Sequence, residues 1–156
     1  MLKRSTQALQ RWKGFDQAID RWLEQRHELI VLLSEFAARQ DFDQAGLQLG
    51  GKLQTFRSLL IDYVSAGHFE FYRGLIAEGL EFDDHQAVEL GSRLMASIED
   101  STQKALGFDE KYESCATTAD LAADLSTLAE ALASRFADED QMISTLHDVH
   151  LARKTG

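Results

Sequence analysis

Three polar side chains, Asp62, Ser65 and His68, recur at three-residue intervals inside the apolar stretch Leu59–Tyr72, which reads L-L-I-D-Y-V-S-A-G-H-F-E-F-Y. Nucleophile, base and carboxylate are all present by type, so acyl transfer is the first chemistry to consider. The spacing speaks against it. A triad needs the imidazole between the other two groups and an oxyanion hole, whereas these residues crowd onto two turns without a Gly-x-Ser-x-Gly elbow. A phosphorelay histidine is a stronger rival, because helical phosphotransfer domains expose one histidine on a helix. Lys and Gly usually follow it at the third and fourth positions, but here Phe71 and Tyr72 stand there. Metal chemistry fares no better. Bundles that hold two metals use paired Glu-x-x-His motifs, and only Glu24 to His27 has that spacing. His147 and His150 could bind an adventitious ion, yet a solvated helix end is the expectation for them. The sequence therefore points to no catalytic residue, no metal and no cofactor.

An ionisable group in an apolar face is costly unless it is paired, so these polar residues need partners from the elements that position them. The chain lacks proline, and 44% of its residues are hydrophobic. Their spacing predicts an all-α, up-and-down four-helix bundle in a single domain, 1–156. In the first helix, capped by Ser5 or Thr6 and running to about Arg39, positions Trp12, Phe15, Ile19, Trp22, Arg26, Leu29, Leu33 and Phe36 step by threes and fours. Residues 40–51 carry turn formers and predict a loop. A second helix from near Lys52 buries Leu53, Phe56, Leu60 and Tyr63 or Val64, with a break near Gly67.

Asp83 or Asp84 should cap a third helix, with Val88, Gly91, Leu94 or Met95, Ile98, Thr102 and Ala105 inward, ending near Gly107. Thr117 with Asp120 resembles a capping box ahead of a last helix. Its stripe is Leu121, Leu125, Leu128, Leu132, Arg135, Glu139, Met142, Leu146 and Val149. Arg26, Asp62, Arg135 and Glu139 thus fall on inward stripes or next to them and balance in charge. They are expected to meet as one buried network, the carboxylates accepting from the guanidinium forks.

The formal charge is −10, which disfavours direct contact with nucleic acid. Residues 1–40 hold 7 Lys+Arg against 5 Asp+Glu, a net of +2, and the remainder holds 9 against 21, a net of −12. A basic protein partner suits such a surface. The longest aliphatic run, Leu29–Leu33, is far shorter than the roughly 20 residues of a membrane span. A lone Cys115 and an N-terminus without the apolar core of a signal peptide predict a cytoplasmic protein.

Several blocks carry a resemblance: Asp20-Arg21-Trp22-Leu23 with Arg26-His27-Glu28-Leu29, then Leu60 to Phe69 with Tyr72, then Ala133-Ser134-Arg135-Phe136 with Glu139-Asp140. In this order they resemble the Rsd/AlgQ family, the regulators of sigma D. The resemblance implies an anti-sigma factor whose helical bundle covers the C-terminal helix-turn-helix domain of the primary sigma factor, blocking promoter and core-polymerase contacts. It implies partner-binding roles for Asp20, Trp22, Asp62, Ser65, His68, Phe69 and Tyr72, lining a cleft at one end of the bundle, and a chain that is a monomer or weak homodimer. The alternative is a histidine phosphotransfer domain using His68.

Overall fold

A computed structural model describes residues 2–38, 46–114 and 118–150. Helix α1 spans Leu2–Ala38 and α2 spans Gly46–Ala66. A π-helical turn, Gly67–Phe71, carries α2 directly into α3, Tyr72–Glu81. Helix α4 is His85–Ser114, and α5, Leu121–Ile143, continues through a second π turn, Ser144–Asp148. Four helical rods result, because α2 and α3 form one run.

Cross-helix contacts fix the directions. Phe36 meets Phe56, Trp22 stacks on Tyr63, and Phe15 stacks on Phe71, so α2 runs back along α1. Phe56 packs edge-on against Phe108, while Gly79 lies against Val88, which reverses α4 relative to α2 and α3. Tyr112 reaches Asp124, and Gly91 abuts Leu146, which reverses α5 relative to α4. The bundle is all-α and up-and-down.

The inward stripes explain the packing. On α5, Leu121, Leu125, Leu128, Leu132, Arg135, Glu139 and Met142 are all buried, as is Leu146 in the π turn, whereas Val149 is exposed. On α1, Trp12, Ile19, Trp22, Leu29 and Phe36 are buried at spacings of three and seven. Each fully buried large apolar side chain contributes about 1.5–3 kcal/mol relative to exposure.

Three boundaries differ from the sequence reading. Helix α2 begins at Gly46, six residues before Lys52, passing through Gly50-Gly51. Neither glycine meets a neighbour where a Cβ would stand, so each leaves room there. Helix α4 does not stop near Gly107 but reaches Ser114, because Phe108 and Tyr112 are buried in the core and keep the extra turns helical. Helix α1 starts at Leu2, ahead of Ser5 and Thr6. Asp84 does cap α4, its Oδ1 accepting the Ala87 N–H at 3.2 Å. Thr117 and Cys115 lie outside the described residues, and so do positions 39–45 of the expected loop.

The break expected near Gly67 is a π turn rather than a helix end. Trp22 Nε1–H donates to the Tyr63 carbonyl at 3.2 Å, the acceptor that an α-helix would offer to the Gly67 amide. An inserted donor of this kind is a known cause of π turns and helix bends. Gly67 also faces the Trp22 ring, with an added Cβ falling only 3.0 Å from it.

At the other end of the bundle, Lys111 and the Tyr112 hydroxyl of α4 both bind Asp124 of α5. These hydrogen bonds, Lys111 first, hold the Asp124 carboxyl below its ordinary value. A lowered folded-state value means that the contribution is present at neutral pH and is lost as the pH falls through it. Asp124→Asn should therefore lower the urea midpoint at pH 7, and the gap to the parent should close as the pH drops below the ordinary carboxylate range. Urea titrations at a series of pH values check this.

Candidate functional site

Arg135 and Glu139 are one helical turn apart on the buried stripe of α5, both with no exposed side-chain surface. Their neighbours come from every other rod. Tyr63 of α2 donates its hydroxyl to Glu139 Oε1, and Tyr72 of α3 donates to Oε2 at 2.5 Å. Arg26 of α1 reaches Oε1 at 3.3 Å, and Arg135 Nε reaches Oε2 at 3.2 Å. The carboxylate thus accepts four bonds, two on each oxygen. Arg135 continues to Ser101 and Thr102 of α4 at 3.1 and 2.8 Å. Arg26 binds the Tyr63 hydroxyl through Nε and exposed Asp140 through Nη1.

The π turn makes this convergence possible. Nine residues at 3.6 per turn would set Tyr63 and Tyr72 about half a turn apart, on opposite faces. One extra residue taken up between them turns Tyr72 back by roughly 100°, and both hydroxyls reach Glu139.

Burial, reinforced by the Glu139 charge, raises both phenols well above the usual tyrosine range. They stay protonated as donors. Stacked rings close the site: Trp22 lies between Tyr63 and Phe71 at 4.9 and 4.5 Å, and Arg26 sits over the Phe136 ring. One polar atom, Arg135 Nη2, is buried with no hydrogen-bond partner among the described residues. Such an arrangement holds charge and register. A reacting group would need an accessible nucleophile or base, whereas the Glu139 carboxylate is buried with both oxygens occupied.

The structure brings Arg26, Arg135 and Glu139 together but leaves Asp62 out. Asp62 is exposed and lines a shallow surface hollow with Arg57 and Asp109. The neighbouring Tyr63 turns inward in its place, since adjacent residues on a helix differ by about 100°. The buried roles belong to tyrosines, which sequence reasoning counted only as core or cleft residues.

The residues expected at a partner surface also divide. Trp22 and Tyr72 are 1% and 2% exposed, so they belong to the core and line no open cleft. Asp20, Asp62 and His68 are exposed, Ser65 is half-buried, and Phe69 is 66% exposed. Asp62, Ser65, His68 and Phe69 follow the outward side of α2 and the π turn. Phe69 is held edge-on to His68, and Arg73 approaches its ring. Phe71 and Tyr72, the positions after His68 that a phosphotransfer motif fills with Lys and Gly, are buried aromatics.

The fold and this closed polar centre define an all-α bundle whose interior Glu139–Arg135 cluster is held between all four rods. Residues 1–147 match the family described as regulator of RNA polymerase sigma(70) subunit, Rsd/AlgQ, and the chain belongs to that family. It is 31% identical to a regulator of sigma D from Yersinia pseudotuberculosis over 92% of this chain and 87% of that protein. Similar proteins of the same name occur in Yersinia enterocolitica, 30% identical over 92% and 88%, and in Pectobacterium atrosepticum, 30% identical over 91% and 96%.

Removing the Glu139 carboxylate would leave two guanidinium groups and two phenols with unpaired atoms. Glu139→Ala should cost about 3–5 kcal/mol, and Tyr63→Phe about 1.5–3 kcal/mol. Asp62→Ala, on the surface, should stay within about 0.5 kcal/mol of the parent. Urea unfolding followed by circular dichroism measures all three.

Proposed function

We propose that this chain is an anti-sigma regulator that binds the primary, sigma-70 type sigma factor. It covers the C-terminal helix-turn-helix domain and so withholds it from promoter DNA and from core polymerase. It works by binding alone, without catalysis or cofactor, in the cytoplasm, as a monomer or weak homodimer. It touches neither DNA nor membrane itself. None of the helices in the described residues is long and apolar enough to cross a membrane.

The observation that carries this reading, beside family membership, is Phe69. A large aromatic that is 66% exposed, on a turn anchored from behind by buried Gly67 and Phe71, is a preorganised anchor for a protein partner. His68, Ser65 and Asp62 lie on the same outward side, while Asp20 is exposed on α1, on the side that faces Asp148. A DNA-reading domain is basic, and carboxylates on a chain of net charge −10 take the place of phosphates and speed encounter.

Phe69→Ala should weaken binding to the isolated C-terminal domain of the primary sigma factor about tenfold or more, with an unchanged thermal midpoint. Titration calorimetry against that domain measures it. Association should also slow as ionic strength rises. Parent-like affinity of the variant would remove Phe69 from the interface, and no binding by the parent protein would overturn the proposal.

A further inference from the structure

Away from the central network, His147 stands at the Trp12–Glu81 end of the bundle and is fully buried. The second π turn places it next to Asp148 and directs its ring between α3 and α1. Its Nδ1 faces both oxygens of Glu78, itself fully buried, at 2.6 and 2.9 Å. Its Nε2 points the other way, to Asp16 Oδ1 at 2.7 Å. Phe15 packs edge-on against the imidazole and fixes its plane. Asp16 is half-exposed and Asp148 exposed, so the Nε2 side opens toward solvent while the Nδ1 side is sealed.

The geometry points to a divalent transition-metal site formed by His147 Nε2, Asp16 and Asp148, with Glu78 as the outer carboxylate that orients the imidazole. One donor atom from each of the three residues lies within 4.8 Å of the others. Donors on one tetrahedral ion, bound at about 2.0–2.2 Å, sit roughly 3.4 Å apart. His147 Nε2 and Asp16 Oδ1, now 2.7 Å apart, would separate to that distance around the ion, and the exposed Asp148 side chain would turn toward it. A ring nitrogen held by a buried carboxylate at its other nitrogen is the usual support of a ligating histidine. One nitrogen and two carboxylate oxygens suit zinc and its neighbours in the first transition row. The ion would take the place of the proton between Nε2 and Asp16.

Charge around the site favours a cation. Asp16 and Glu78 both bind the His147 imidazole, Asp148 follows it in the chain, and His150 adds its field to Glu78; among the described residues no Lys or Arg forms an ion pair with these three carboxylates. Single π turns within α-helices are frequent at functional sites. The site lies apart from Phe69 and does not depend on the sigma-binding reading.

Full-length protein, stripped with a chelator, titrated calorimetrically with zinc chloride at pH 7.5 should take up one ion per chain. Cobalt(II) should give a visible d–d absorption at the same stoichiometry. Asp148 makes no hydrogen bond to other described side chains, so Asp148→Asn should keep the parent's thermal midpoint in the absence of metal while binding zinc at least tenfold more weakly. Glu78→Gln should weaken zinc about 10–100-fold, and His27→Gln, on the exposed face of α1, should bind as the parent does. Absence of uptake by the parent at millimolar zinc would overturn the assignment. Parent-like affinity in a folded Asp148→Asn protein, or loss of uptake in His27→Gln, would do the same.

Discussion

The carboxylate of Glu139 is the constraint on which the rest of the bundle depends. A buried anion is tolerated only where its lone pairs are filled and its charge is answered, and here four donors on four helical segments do both. Apolar stripes alone allow rods to slide or rotate against each other at little cost. Four directed bonds to one group do not, because each helix has one azimuth and one height at which its donor reaches Oε1 or Oε2. Aromatic stacking around Trp22 fixes the same level of the bundle from the α1 side.

In the proposed reading, stability and presentation are consequently separated in space. The polar groups that could do chemistry are spent on one another in the interior, and the surface keeps Phe69, His68 and the carboxylates of Asp20 and Asp62. A rigid interior matters to a binding protein. Less conformational freedom remains to be lost when a partner docks, and the turn bearing Phe69 is the one whose geometry Trp22 sets.

Much of this was legible in the sequence. Periodicity gave the four rods and most of the buried positions, since a stripe that steps by threes and fours has one physical meaning. Arg26, Arg135 and Glu139 stood out because charges in such stripes need partners. Asp62 misled for the same reason that Tyr63 was undervalued. On a run as apolar as Leu59–Val64, neighbouring residues differ by only a hundred degrees, and hydropathy does not say which of them turns inward. Trp22 and Tyr72, expected to line a cleft, instead fill the core around Gly67 with their rings. The grouping of Asp16, Glu78 and His147 left no mark in sequence, because three helices distant along the chain create it. Where α4 ends was hidden by the polar look of residues 107–114, within which only Phe108 and Tyr112 are buried.

The π turn between Tyr63 and Tyr72 also makes chain length a functional quantity. The segment holds one residue more than an unbroken α-helix could accommodate with both tyrosines facing inward. Loss of any single residue between them would allow regular hydrogen bonding, and Tyr72 would still face Glu139. The Trp22 indole would then have to compete with a backbone amide for the Tyr63 carbonyl, and Phe69 would lose its outward bulge. A chain one residue shorter here would therefore keep the same core while presenting a different surface, the difference carried by length rather than by any change of side chain.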